Sequence, residues 1–164
     1  MATHQRSRSA ILSGAKIVIT EVGSYESNML DIAARAEVSR ATIYNHFVDK
    51  EEMMASLVES EVERLTTLAK KSPRKADALF AISSDISNDA ALAKMIDTDH
   101  DDIMKLITVT GAPLWLTVQR NLAEIFGSDE NSVGLILRWL LAQISAPLTS
   151  EQSRIQADRI ASIL

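Results

Sequence analysis

The sequence predicts an all-α protein in two helical parts, and three observations carry that prediction. Apolar residues recur at three- and four-residue steps along most of the chain. No alternation of apolar and polar residues runs long enough for a strand. The stretch from Asn28 to Lys50, NMLDIAARAEVSRATIYNHFVDK, holds two short amphipathic segments on either side of a tight turn. The expected architecture is an N-terminal three-helix helix-turn-helix unit (1–49), a connecting helix (50–70) and a C-terminal helical domain (71–164).

A chain of 164 residues can bury a proper core. Its 46 % apolar and 24 % charged residues set it apart from disordered sequences. The absence of cysteine excludes disulfides and thiol catalysis. The opening MATHQRSRSA is polar and Lys16 interrupts the apolar residues after it, so neither a signal peptide nor a membrane span is expected and the cytoplasm is the expected compartment.

The net charge of −5 is unevenly distributed. Residues 1–50 carry six Lys/Arg against five Asp/Glu, whereas residues 51–164 carry eleven against seventeen. A near-neutral first part leaves local positive charge for a polyanion, and an acidic remainder discourages indiscriminate binding.

The first helix is expected from about Ser7 to Val22, with Ile11, Ala15, Val18 and Val22 as its buried stripe and Gly23 as its stop. Arg6 and Arg8 before it suit phosphate or minor-groove contact, or else a solvated tail. Asn28 caps the second helix, which buries Met29, Ile32, Ala33 and Ala36. The small Ala33 permits the close crossing that a tight turn imposes. Glu37 and Val38 make the turn, with Val38 directed inward.

Ser39 caps the third helix, on which Ile43 and Phe47 face the core. Arg40, Ala41, Thr42, Tyr44, Asn45 and His46 are expected outside. That set is small, polar and rich in hydrogen-bonding groups, as entry into a DNA major groove requires. Asp49 and Glu52 form a capping-box pattern for a long fourth helix with the stripe Met54, Leu57, Val58, Val62, Leu65 and Leu68. Lys50, in its first turn, is placed to hold a phosphate together with the positive helix end.

The run DIAARAEVSRATIYNHFVDKEEM resembles the DNA-binding segment of the TetR family of one-component transcriptional regulators. The family pattern D-I-A-x-x-A-G-V-S-x-x-x-(I/L)-Y-x-H-F-x-x-K-E-x-L is matched at Asp31, Ile32, Ala33, Ala36, Val38, Ser39, Ile43, Tyr44, His46, Phe47, Lys50 and Glu51. The resemblance is strong over about residues 8–60, weak in the middle, and returns at VGLILRWLLAQISAP and SEQSRIQADRIASIL. It implies a homodimeric repressor that binds an inverted-repeat operator in double-stranded DNA and is released by a small, mostly apolar effector. The implied DNA contacts are Asn28, Ser39, Arg40, Ala41, Thr42, Tyr44, Asn45, His46 and Lys50, with Arg40 and Thr42 near base edges and Tyr44 and His46 on phosphates. Two departures stand out: Glu37 occupies the turn glycine's place, where a side chain costs roughly 1–2 kcal/mol, and Met53 replaces a leucine.

Beyond Ser72 and Pro73, helices are expected at about 73–88, 90–97, 100–109, 111–126, 131–145 and 150–164. The acidic run Asp97–Asp102 lacks the spacing of a calcium loop, and no metal or cofactor site is expected. Trp115, with Gln119 beside it, either lines a cavity or is ordinary core; Phe80, Met95 and Met104 are further candidates for apolar pocket walls. The 131–145 helix is apolar on most sides and needs two covers, of which a second copy of the chain is the simplest. Leu135, Trp139 and Ala142 on it, with Ala157, Ile160, Ala161 and Leu164 on the last helix, are the expected four-helix dimer contact.

His4, His46 and His100 are scattered, and no nucleophile elbow, phosphate loop or zinc-helix spacing occurs. An enzyme using Asp99 and His100, or a helical ligand-binding or interaction protein without sequence-specific DNA binding, are the competing classes.

Overall fold

The structure, a computed structural model, describes residues 2–108, 111–127 and 129–164, with side chains from His4 onward. Ten α-helices and no strand occur among the described residues. They are α1 (Ala2–Glu26), α2 (Met29–Arg35), α3 (Arg40–His46), α4 (Lys50–Lys70), α5 (Lys75–Ser87), α6 (Ala90–Thr98), α7 (His100–Thr108), α8 (Pro113–Phe126), α9 (Glu130–Ser145) and α10 (Ser150–Ala161). The expected helices all occur; residue 109, at the end of the expected 100–109 helix, lies outside the described residues.

Two units form, each around its own core. The first comprises Met1–Glu61 and Ala90–Asp101, the second Val62–Asp89 and Asp102–Leu164. The sequence placed everything beyond residue 70 in the second part, but α6 returns to the first. Its Ala91 is buried in the first core and Met95 packs against that core, so Met95 is not a wall of any pocket in the second unit. A short amphipathic helix fits either core equally well, and periodicity alone does not choose.

In the first unit, Ile11, Leu12, Ala15, Val18 and Ile19 of α1 meet Met29, Ile32 and Ala33 of α2, Ile43 of α3, Phe47, and Met53 and Leu57 of α4. Gly14 makes the α1–α2 crossing possible: a Cβ there would stand 3.0 Å from Ala36 N and 3.2 Å from Ile32 O. At Gly23 the backbone leaves the helix with φ 87°, so the regular part of α1 ends at Val22 as expected.

In the second unit, Ala78, Leu79 and Ile82 of α5, Trp115, Leu122 and Phe126 of α8, and Val133, Ile136, Leu137 and Leu140 of α9 form the core with Ala157 of α10. Ala157 is wholly buried within its own chain, where α10 packs on α5, and is therefore not available to a partner. The small residue lets α10 approach closely instead. A buried polar cluster lies beside this core: Ser83 Oγ donates to Gln143 Oε1 at 2.6 Å and is 2.9 Å from Ser153 Oγ. No helix of the described residues is long and apolar enough to cross a membrane.

Candidate nucleic-acid interface

The helix-turn-helix is built from local hydrogen bonds that the sequence supplies. Asn28 Oδ1 accepts from the Leu30 and Asp31 amides, both at 3.0 Å, and starts α2. The end of α2 is closed by two backbone bonds, Val38 N to Ala33 O at 3.0 Å and Glu37 N to Ala34 O at 3.2 Å. This is a Schellman closure, with Val38 packed against the core as its hydrophobic contact. It requires a left-handed residue at position 37, and Glu37 adopts φ 55° in the glycine's place.

Ser39 Oγ accepts from the Thr42 amide at 3.0 Å and starts α3. Ile43 and Phe47 are buried under that helix, fixing which side faces out. Arg40, Ala41, Tyr44 and Asn45 are exposed, and Thr42 is half-buried with its hydroxyl 2.8 Å from Ser39 Oγ. The Arg40 guanidinium lies 5.8 Å from the centre of the Tyr44 ring, which holds the cation on the outer face at little cost in order. One side of α3 thus presents a guanidinium, a methyl, a phenol and an amide together, the groups that bind base edges and phosphates.

One residue expected on that face, His46, is turned elsewhere. His46 is half-buried against His4, ring centres 4.1 Å apart, and its Nδ1 is buried without a hydrogen-bond partner. Burial, reinforced by His4 and Arg8, lowers its pKa and so disfavours the charged imidazolium. It supports α3 from behind rather than standing outside. Arg8 lies 5.2 Å from the Phe47 ring centre, so it too is drawn onto the base of α3 instead of trailing free.

Lys50 differs as well. Its Nζ donates to Tyr25 O at 2.9 Å and Ser27 O at 2.7 Å, so two of its three protons are used within the protein. The start of α4 is capped by Asp49 Oδ1 on the Glu52 amide at 2.8 Å, while Glu52 reaches back to the Val48 amide at 2.7 Å. That is the expected box with its return bond shifted by one residue.

The acidic run contains no convergent site. Asp99 is 7 % exposed and turned inward, accepting from the Ser24 amide at 2.8 Å, the Tyr25 amide at 3.1 Å and Thr98 Oγ1 at 2.9 Å. Burial pushes its pKa up, but these donors outweigh burial and leave it below the usual value. The Asp99 carboxylate is thus engaged by these donors, and His100 beside it is exposed.

The second unit spends its aromatic candidates on packing. Trp115 is buried and its Nε1–H donates to Leu106 O at 2.8 Å, tying α8 to α7. The Phe80 ring is covered by the Arg154 guanidinium at 3.8 Å. Met104 and Gln119 are half-buried. On α9 and α10, Leu135 and Ala142 are exposed, and Trp139, Ile160, Ala161 and Leu164 are half-buried. Trp139 Nε1–H donates to Gln156 Oε1 at 2.7 Å, joining α9 to α10 at their outer edge. Ile155 of α10 and Ile163 just beyond its end are exposed and escaped the sequence expectation.

A polar outward helix on a sealed apolar base is the arrangement of a DNA-binding helix-turn-helix. Residues 11–57 match the family profile of bacterial regulatory proteins, tetR family. In fold, the chain is similar to Salmonella enterica GusR, with TM-score 0.66 and 17 % identity over 96 % of this chain and 92 % of that one. It is similar to the TetR family repressor AlkX from Dietzia sp. strain DQ12-45-1b, implicated in biodegradation of n-alkanes, with TM-score 0.66 and 18 % identity over 94 % and 95 %. No curated protein sequence matches it significantly. Residues 11–57 thus carry a DNA-binding segment of the tetR-family kind, and the chain as a whole shares the fold of these two proteins.

Proposed function

We propose that the protein is a non-enzymatic repressor that binds an inverted-repeat operator as a homodimer. The observation that carries this reading is the outer face of α3, where Arg40, Ala41, Thr42, Tyr44 and Asn45 stand on a helix anchored from below by Ile43 and Phe47. Arg40 and Thr42 read base edges; Tyr44 and the α2 start at Asn28 hold phosphates. Two copies of α3 related by a two-fold axis reach successive major grooves about 34–36 Å apart.

Dimerisation through α9 and α10 is supported by their uncovered apolar side chains. Leu135 is 42 % exposed, Ile155 44 % and Ile163 67 %, and the Trp139–Gln156 bond makes the two helices one surface. Burying this face against its copy removes that apolar area from water. A doubly substituted Leu135→Glu, Ile155→Glu protein sediments as a monomer and loses operator affinity while remaining helical; a dimer that survives both changes removes this face from the reading.

Control by a small, mostly apolar effector is supported by the make-up of the second core around Trp115, where Ile107, Leu114 and Val118 are only partly buried. A ligand entering there acts by separating the Trp115 indole from the Leu106 carbonyl, and it shifts the DNA-binding equilibrium only through tighter binding to the state that does not hold DNA. Titration of linear and aromatic hydrocarbons against an operator complex tests this. Operator affinity that no such compound alters ends the effector half of the proposal and leaves the DNA half standing.

A further inference from the structure

We propose that Asp99 and Lys50 are paired positioning residues for DNA binding: they grip the same segment, Ser24–Ser27, from its two sides and so set the stance of α2 beneath α3. The inference rests on DNA binding by α3 and deepens it by naming residues that act without touching the duplex.

The segment between Gly23 and Asn28 is the link from α1 into the helix-turn-helix. Its amides face one charge and its carbonyls the other. The Asp99 carboxylate accepts from Ser24 N and Tyr25 N, and the Lys50 ammonium donates to Tyr25 O and Ser27 O. Ser27 is buried, and its Oγ donates to Ser24 O at 2.7 Å, closing the segment on itself. Hydrogen bonds arranged in series polarise one another, so an anion on the N–H side strengthens the hold of the cation on the C=O side.

Neither charge has a cheaper arrangement in view. Asp99 is buried with N–H and O–H donors around it, so it loses most of its solvation if the segment moves away. Gly23 reinforces the contact. A side chain at position 23 would collide with Thr98 Oγ1 and stand 2.9 Å from Asp99 Oδ2. The φ of 87° and this close approach demand glycine independently.

Position along the chain gives the grip its consequence. Asn28, whose side chain starts α2, directly follows the segment, and Lys50 stands three residues beyond Phe47, the buried anchor under α3. Asp99 is followed by exposed His100 and Asp101, after which the chain passes into the second unit at Asp102. A displacement of residues 99–101 therefore reaches Asn28 through two hydrogen bonds and one short peptide segment. Lys50 acts on the DNA through that segment.

The test uses the full-length protein, an operator selected from random duplexes, and the variants Asp99→Ala, Lys50→Met, Lys50→Arg and the Asp99→Ala, Lys50→Met double. Affinity is measured across a salt series together with thermal unfolding and amide exchange. Each single loss weakens operator binding by about tenfold, and the double variant loses less than the product of the two, because both act on one segment. The salt slope stays that of the wild type, because no phosphate contact is lost. Lys50→Met speeds exchange of the Ser24 and Tyr25 amides, which Lys50 itself does not touch, and Lys50→Arg restores binding in part. Should Asp99→Ala not fold, the two Lys50 variants decide through slope and exchange. A salt slope lowered by about one unit in Lys50→Met, unchanged Ser24 and Tyr25 exchange in that variant, or a folded Asp99→Ala protein with wild-type affinity overturns the proposal. A wild-type protein that enriches no duplex overturns the DNA-binding reading itself, and the paired grip with it.

Discussion

Glu37 carries a strain that one atom-level change relieves. Among the described residues it is the non-glycine held at positive φ, at the point where the Schellman closure of α2 demands it. Glu37→Gly removes the Cβ conflict and is expected to stabilise the protein by about 1 kcal/mol, raising the melting temperature by roughly 2–4 °C; calorimetry checks this. Asp77 makes a different kind of prediction. Its carboxylate is held at a pKa of about 2, first by the Arg74 hydrogen bond and, against opposing desolvation, by Arg154. A folded pKa below the unfolded one means the pairing stabilises the protein fully above the unfolded value, about 3.9, and that this contribution is lost as pH falls through about 2. Denaturant titrations of wild type and Asp77→Asn should thus differ by a constant amount near neutrality and converge between pH 4 and pH 2. Glu37 was legible because a motif position fixes backbone conformation. The partners of Lys50 and His46 were not, because the Tyr25 carbonyl and the His4 ring belong to residue types and distances in chain that no local pattern marks.

Four helices in this protein are started by a side chain at their N-cap. Asn28, Ser39, Asp129 and Thr149 each accept from an amide two or three residues on, and Thr149 with Gln152 completes a full capping box. Such caps are local, which is why the starts of α2 and α3 were legible at Asn28 and Ser39, whereas α5 and α8 have no side-chain cap and were placed by periodicity. Ser39 matters most, because α3 has only seven residues and little else to define its start. Ser39→Ala should cost about 1 kcal/mol and weaken DNA binding beyond that, since Thr42 loses both its amide acceptor and its hydroxyl partner. Chemical denaturation and operator titration on the same protein separate the two effects. What pattern could not decide is which core a helix joins. The stripe of α6 reads like any other in the second half of the chain, and the packing of Ala91 and Met95 on the first core assigns it there. Ala157 teaches the same lesson in reverse: a small residue on an outer-looking helix suits a partner or a neighbour equally, and here the neighbour is α5.

At the scale of the molecule, labour is divided between two cores of different purpose. The first supports a small polar reading surface and keeps Ile43 and Phe47 sealed beneath it. The second exposes apolar side chains at Leu135, Ile155 and Ile163, the face on which the proposed dimer rests. The fold and the reading helix were written in spacing and caps, whereas the state of the second unit depends on long-range fit that composition does not encode. The central claim is that α3 reads DNA in two symmetric copies. Selection of duplexes from random DNA by the wild-type protein, run beside Arg40→Ala and Thr42→Ala, tests it most directly. The account predicts an enriched inverted repeat with half-sites one helical turn apart, and variants that each lose preference at matching base pairs in both halves, by roughly 1–3 kcal/mol per position. Enrichment of a single unpaired motif, or a repeat that all three proteins select alike, would contradict it.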